Sequence, residues 1–490
     1  MGHQFTPIAD GRPNEAKRSI SRERSPFNDL RNYRKWEEIT ERIYERQSIV
    51  VSQLADNKRE ADSYYHFIGN PRIEINELVR MSCNIAPQVL QGRHVLVLGD
   101  TSSFNLKCHI GRIQDAHRIG VLEDNKSPGF FSHVHLVADA EAETVLGLGD
   151  ILLWCREKTG VKGTKKEQWE ERESYKWFLG ATNAGQALSA AEVRTFVFDR
   201  DSDSYELFDK LHRPEQNDHF VIRLHHDRQV VFQGQTLRLS QCLAQQESLG
   251  SYELKLPALD HYSPSSGKRI ARQKRTALIE VRTCLVTVKA PGNCALAGQS
   301  MQLWAIEARE VGSNLPQGEA PILWRLLTTH PAGSFEQAIQ IIRFYLCRWM
   351  IEQLFRTMKS EGLDLEATEV ETFDGILRQT VMAYQVACRV LQLVYARGRQ
   401  DSQPIGEVFT GQEQKVLSQL NEQFQGTTDK QQNPYPSDQT SWATWVIARL
   451  GGWKGYLSQK PPGPATLVKG LERFAVFVQA YQLFDAPKDG

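Results

Sequence analysis

The sequence predicts a mixed α/β protein: a core of strands flanked by helices, interrupted by an all-β module and bracketed by helical segments at both ends. Three patterns lead there. Between residues 94 and 212, short apolar runs closed by an acid, RHVLVLGD and RTFVFDRD, alternate with helix-like stretches. From about 225 to 315 apolar positions recur with a period of two. The flanking segments are polar with helical spacing. At 490 residues the chain is too long for one ordinary core, and its length corresponds to roughly three domains. Texture sets the boundaries at 1–75 (helical), 76–370 (α/β, with the β module at about 225–315) and 371–490 (helical).

Taken in order, RKWEEITERIYERQSIVVSQL is the longest candidate helix of the first segment, and ADSYYHFIGNP runs into a break at Pro71. Val95 to Leu98 form a strand buried on both faces that ends at Gly99 and Asp100. SHVHLVADAEAETVLGLGDILLW, residues 132–154, supplies two strands with a turn around Glu141 to Glu143. SYKWFLGATNAGQALSA follows as a helix. Thr195 to Phe198 are a fourth apolar strand, Asp199 closes it, and a helix starts at Ser204. In the β module, SYELKLPAL, RTALIEVRTCLVTVK and MQLWAIEARE alternate as antiparallel strands do, with GKRIARQKR (267–275) placed at a hairpin tip. ILWRLLTT is the last strand. From about 370 the chain is helical, apart from the loop QGTTDKQQNPYPSDQTS.

SFEQAIQIIRFYLCRWMIEQLFRTMKSEG, residues 334–362, reads as one helix: Ser334 and Gln337 make a capping box and Gly362 is the stop. At about 100° per residue, Tyr345, Arg348, Glu352 and Lys359 share one stripe. The neighbouring stripe of Ile339, Ile342, Leu346, Trp349 and Met350 faces the core. A polar edge of this kind is either a solvated run of ion pairs or a binding edge.

Lys and Arg balance Asp and Glu at 59 each, with a pI near 7.2, so a nucleic-acid site must be local. Two basic footprints qualify: the first 36 residues, with eight Lys or Arg against four Asp or Glu, and GKRIARQKR. The eight cysteines are scattered without zinc spacing, as in a reduced cytosolic protein. No apolar run of about 18 residues or signal core is present, which argues against membrane insertion and export and for a cytoplasmic protein.

Asp100 and Asp199 each close a short buried strand, where functional groups gather in sheets flanked by helices. With Glu352 they would make a carboxylate cluster of the kind that holds Mg²⁺. Two such ions, roughly 3.5 to 4 Å apart, can clamp a phosphodiester. Taken singly, Asp100 is equally a turn residue and Asp199 a helix cap.

GDTSS around Asp100, FDRDSD around Asp199 and the pattern Y-(2)-R-(3)-E-(6)-K at Tyr345, Arg348, Glu352 and Lys359 resemble the acidic regions of bacterial DDE transposases, and more narrowly those of the insertion-sequence-four family. HFIGNP at 66–71, the RIQ…SHVHLV run, the β block before Trp324 and IARLGGW at 447–453 match in order, so the resemblance covers nearly the whole chain. It implies a ribonuclease-H-like catalytic core with a β insertion, which accounts for the 153 positions from Asp199 to Glu352. It also implies that Asp100, Asp199 and Glu352 are catalytic ligands of two Mg²⁺ ions, Mn²⁺ substituting. Tyr345, Arg348 and Lys359 would hold phosphates, Trp324 would stack a flipped base, and Arg223 would face DNA. Arg31, Arg34 and Lys35 would contact transposon ends from a DNA-binding segment, and the helices at 441–485 would join two protomers in a synaptic homodimer. The reaction implied is nicking, hairpin formation and opening, and joining of 3′ ends to target DNA. Two other readings stay open: a ribonuclease-H-like nuclease that cuts structured DNA without joining it, and a domesticated or inhibitory DNA-binding protein.

Overall fold

The computed structural model describes residues 7–8, 29–157, 169–256, 258–263, 268–292, 294–312, 315–316, 319–359, 363–428, 431–456 and 460–485. Five of the eight early basic residues, and Gly362, lie outside the described residues. Contacts divide the chain into two compact units: the residues up to Glu192 together with those from Trp349 onward, and Val193–Arg348.

The first unit opens with α1 (Leu30–Arg46), which buries Trp36, Ile39 and Ile43 at helical spacing. The expected longer helix stops here. Gln47 turns left-handed (φ 48°) and donates from its side chain to the Tyr44 carbonyl, so α2 (Val51–Leu54) is separate. Next come α3 (Lys58–Gly69), α4 (Ile75–Ser82) and α5 (Pro87–Leu90). Strand β1 (His94–Asn105) runs past Asp100, because β3 (Pro128–Asp139) pairs with it from Val95 to Asn105. Asp100 is thus a mid-strand residue, neither a strand terminus nor a turn. β2 (Gly120–Val121) and β4 (Val145–Trp154) pair with β3, and the turn after Asp139 lies where the sequence placed it. α6 (Lys176–Ala187) packs on β3 and β4. Gly180 permits this approach, since a Cβ there would come within 2.2 Å of the His135 ring.

In the second unit, β5 (Val193–Phe198) and β6 (Asp218–Arg223) are parallel, joined through α7 (Tyr205–Leu211) with Ser204 as its cap. Arg194 and Asp218, both buried, pair at 2.6 Å and pin that register. The module continues as β7 (Gln229–Phe232), β8 (Gln235–Arg238), α8 (Leu239–Ala244), β9 (Gly250–Leu256), β10 (Leu259–Ser263), β11 (Lys268–Arg272), β12 (Arg275–Lys289), β13 (Ser300–Val311) and β14 (Leu323–Thr328). The sheet order within this unit is β5-β6-β14-β13-β12, and β7 and β9 both pair with β12. Beyond the β9–β12 pairing, Lys268–Arg272 of GKRIARQKR return along Leu259–Ser263 as β11, and Arg275 begins β12, so the described part of this basic stretch is strand at the far end of that hairpin. α9 (Phe335–Cys347) starts at the expected capping box of Ser334 and Gln337.

The expected single helix is interrupted at Arg348, whose N–H bonds to the Tyr345 carbonyl three residues back. α10 (Trp349–Lys359) then begins the remainder of the first unit and packs on β1 and on α11 (Phe373–Ala396). α11 is buried along most of its length, and Arg378 on it donates to the Ile68 and Ile73 carbonyls. α12 (Gly411–Phe424), α13 (Thr440–Leu450) and α14 (Pro464–Asp485) complete the fold. α13 and α14 touch at Gly470, where a Cβ would lie 2.0 Å from the Ile447 carbonyl oxygen. All eight cysteines carry free thiols. Among the described residues no helix is long and apolar enough to cross a membrane.

His133 and His135 are fully buried on β3, their rings edge-on at 4.8 Å. Burial pulls His135 from its ordinary 6.5 down to about 3. A depressed histidine contributes stability that is present above 6.5 and lost as pH falls toward about 3. Thermal melts between pH 7.5 and 4.5 are expected to show Tm falling with pH, and His135→Phe is expected to make that fall shallower; an unchanged slope would show that His135 does not carry the pH dependence.

Candidate active site

Strand pairing builds the site. Phe198 at the end of β5 lies opposite Ile222 of β6, so the next residues, Asp199 and Arg223, reach the same edge together. On the other side of β6, Leu326 of β14 faces Arg223, which places Trp324 two residues away along that edge. α9 brings Tyr345, and its cap residue Arg348, to the same carboxylate.

The Arg200 backbone N–H donates to Asp199 Oδ1 at 2.7 Å, so Asp199 caps the short 3-10 turn Arg200–Ser202 and not α7, which Ser204 caps. The Tyr345 hydroxyl donates to the same oxygen at 3.3 Å and accepts from Arg223 Nη1 at 3.4 Å. Guanidinium nitrogens of Arg348, Arg200 and Arg223 stand 3.7, 3.9 and 4.0 Å from the carboxylate. One carboxylate therefore faces three cations at separations too long for hydrogen bonds, and it keeps 27% of its side-chain surface exposed. The Trp324 ring meets Tyr345 edge-on at 6.0 Å and is half-buried. Burial first, then the charge of Asp199, pushes the Tyr345 phenol above its ordinary value, against Arg223 and Arg348, which keeps it a donor.

Burial phase differs from expectation. Tyr345 and Arg348 are only 2% and 4% exposed, while Trp349, expected in the core, is 51% exposed. Hydrogen bonds to Asp199 and from Arg223 let the Tyr345 hydroxyl leave water, and the Asp199 charge offsets part of the cost for Arg348.

In the other unit, Asp100 accepts the Thr101 N–H at 2.7 Å, and Thr101 Oγ1 bonds to His133 Nδ1 at 2.9 Å. Glu352 is half-buried in the first turn of α10, the helix end that favours an acid. Lys359, at the other end, holds its ammonium 5.3 Å from the Phe104 ring. Burial lowers its pKa, opposed by Glu366 and Glu123. On α1, Arg31 pairs with Asp29 and Lys35 with Glu38, leaving Arg34 exposed, so the helix presents no uniform basic stripe. Among the described residues no group of three or more His, Cys, Asp or Glu side chains is arranged to hold a metal ion. Within the Val193–Arg348 unit, the charged neighbours of Asp199 are the guanidinium groups of Arg200, Arg223 and Arg348, donors of the kind that phosphate oxygens accept from.

Two residues escaped the sequence reading. Arg200 adjoins Asp199, and no spacing pattern marks it. Asp203, the last acid of FDRDSD, accepts the His225 and His226 N–H groups at 2.8 and 3.1 Å and pairs with Arg228 Nε at 2.7 Å. It ties down the loop that follows Arg223, and only its place in an acid-rich motif marked it. Asp203→Ala is expected to cost about 3 kcal/mol in urea denaturation, because Arg228 is left without its carboxylate, whereas Asp201→Ala, at an exposed position, should leave the midpoint unchanged.

Residues 181–389 match the family model described as the Transposase DDE domain. The match takes in Asp199, Arg223, Trp324, Tyr345, Arg348, Glu352 and Lys359, and leaves out Asp100. Among solved structures, the chain is similar to the piggyBac transposase in a cryo-EM synaptic complex with hairpin DNA, at 9% identity and a TM-score of 0.34, over 78% of this chain and 70% of that one. At that TM-score the likeness establishes neither fold nor function for this chain.

Proposed function

We propose that this protein is a cut-and-paste DNA transposase of the DDE type, acting on double-stranded DNA at transposon ends and then at a target. The observation that carries this reading is that the stretch matching the Transposase DDE domain contains a carboxylate ringed by three guanidinium groups and a phenol, the donors that phosphodiester oxygens accept from. At the DNA, Arg223 and Arg348 exchange their loose contacts with Asp199 for phosphate oxygens, and Tyr345 supplies one hydrogen bond. Lys359 neutralises a further phosphate. Trp324 offers a ring to a base turned out of the duplex, as a hairpin end requires. Asp100, Asp199 and Glu352 are the carboxylates on which cutting depends. Their oxygen donors suit Mg²⁺, with Mn²⁺ as substitute, whose chemistry would be to activate the attacking oxygen and stabilise the leaving one. In this reading the core is ribonuclease-H-like, Arg31, Arg34 and Lys35 touch the transposon ends, and the helices at 441–485 join a homodimer. The reaction proceeds by a nick, a hairpin, its opening by water, and joining of 3′ ends.

The test is incubation of purified protein and Mg²⁺ with a labelled duplex carrying the terminal repeats that bracket its gene, resolved on a denaturing gel. Wild type should give nicked, hairpin and joined products, Asp199→Ala none, and Arg348→Ala a rate lower by about 10²–10³. Nicks without joining would indicate a structure-specific nuclease instead. Binding without any product would indicate a DNA-binding protein that no longer cuts, and undiminished cutting by Asp199→Ala would overturn the assignment.

A further inference from the structure

Beyond the stretch matched by the family model, the C-terminal helices enclose a cavity of about 270 Å³. Flat rings make up much of its wall: Tyr435, Trp445 of α13, Trp453, and the adjoining Pro461 and Pro462. Arg397, the residue that ends α11, also lines it, together with the polar side chains of Gln400, Ser441 and Thr444.

Two features of this cavity are not accounted for by the fold. Trp445 is 3% exposed, and its buried indole N–H has no hydrogen-bond partner among the described residues. A buried donor of that kind ordinarily has one. Arg397 donates to the Pro462 carbonyl but forms no ion pair among the described residues. Burial holds its guanidinium below its ordinary value, and the one group that raises it is the Tyr395 phenol. A partly desolvated guanidinium without a carboxylate is costly unless an anion completes it. Aromatic walls with a cation at the rim suit a planar ring bearing an anionic group. A quaternary ammonium, the other usual guest of aromatic cages, would be repelled by Arg397. The size fits one ring system, since pockets for larger organic ligands begin at about 300 Å³.

We infer that this cavity binds a single nucleotide unit, its base against Trp445 and Trp453 and its phosphate on Arg397. The unit could be a free nucleoside monophosphate or an unpaired nucleotide at the end of a DNA strand. The site is independent of the Asp199 chemistry.

Ligand-observed NMR titration of the full chain, without metal, tests it with deoxythymidine, deoxythymidine monophosphate, a blunt DNA duplex and the same duplex with an unpaired 3′ nucleotide. The monophosphate is expected to bind about tenfold more tightly than the nucleoside. Arg397→Gln should erase that difference while leaving nucleoside binding intact, which also shows that the variant is folded. Trp453→Leu should weaken both about tenfold. Tighter binding of the duplex with the unpaired end, lost in Arg397→Gln, assigns the ligand to DNA, and equal binding of the two duplexes assigns it to the free nucleotide. Absence of saturable binding by any of the four, or binding indifferent to both substitutions, overturns the inference. Because the titration needs neither metal nor cleavage, its failure is distinct from failure of the transposase reading.

Discussion

The Asp199 carboxylate, set at the end of β5 against Arg200, Arg223 and Arg348, fixes the character of the Val193–Arg348 unit. At about 4 Å each such pair is worth roughly 1 kcal/mol in water and about 4 where the surroundings are less polar, so the ring is held without being locked. In the proposed function, the length of these contacts lets a phosphate oxygen displace the guanidinium groups from Asp199 at small cost. Tyr345 links the arrangement, since it gives its proton to Asp199 while taking one from Arg223.

That ring depends on strand register. Parallel β5 and β6 bring Asp199 and Arg223 to one edge only if Phe198 faces Ile222, and a slip by one residue would turn every side chain to the opposite face. The buried Arg194–Asp218 pair at the other end of the same two strands holds the register. Asp203 does comparable work beyond the sheet edge by gathering the two histidine N–H groups and Arg228. Of the three acids of FDRDSD, Asp199 thus stands among the guanidinium groups, Asp203 ties down the following loop, and Asp201 is exposed. In the other unit, Asp100 is likewise carried on rigid strand, its neighbour Thr101 bonded to the buried His133. Sites carried on strands hold geometry more closely than sites on loops.

Much of this was legible from residue pattern. The strands around Asp139 and before Asp199, the cap at Ser204 and the capping box at Ser334 rest on local chemistry, and local chemistry prevailed. What escaped depends on partners distant in sequence. β1 continues past Asp100 because β3 is long enough to pair with all of it, which no periodicity around GDTSS reveals. Arg348 interrupts a helix that contains neither glycine nor proline at that point, and Gln47 ends α1 without either. By residue type alone, Tyr345 and Arg348 belong on an open edge. Both are buried beside Asp199, which lies 146 and 149 positions away and accepts a hydrogen bond from the Tyr345 hydroxyl. On α1, Arg31 and Lys35 pair at the surface with Asp29 and Glu38, weak contacts that the spacing of basic residues alone does not show.

The central claim, that the guanidinium groups around Asp199 are there to engage phosphate, is tested most directly by the salt dependence of duplex DNA binding. Each neutralised phosphate contributes about 0.9 to the slope of log affinity against log salt. Arg223→Ala and Arg348→Ala should each flatten that slope by about one relative to wild type. Slopes that match wild type in both variants would contradict the claim and leave the ring a purely structural feature of the sheet edge.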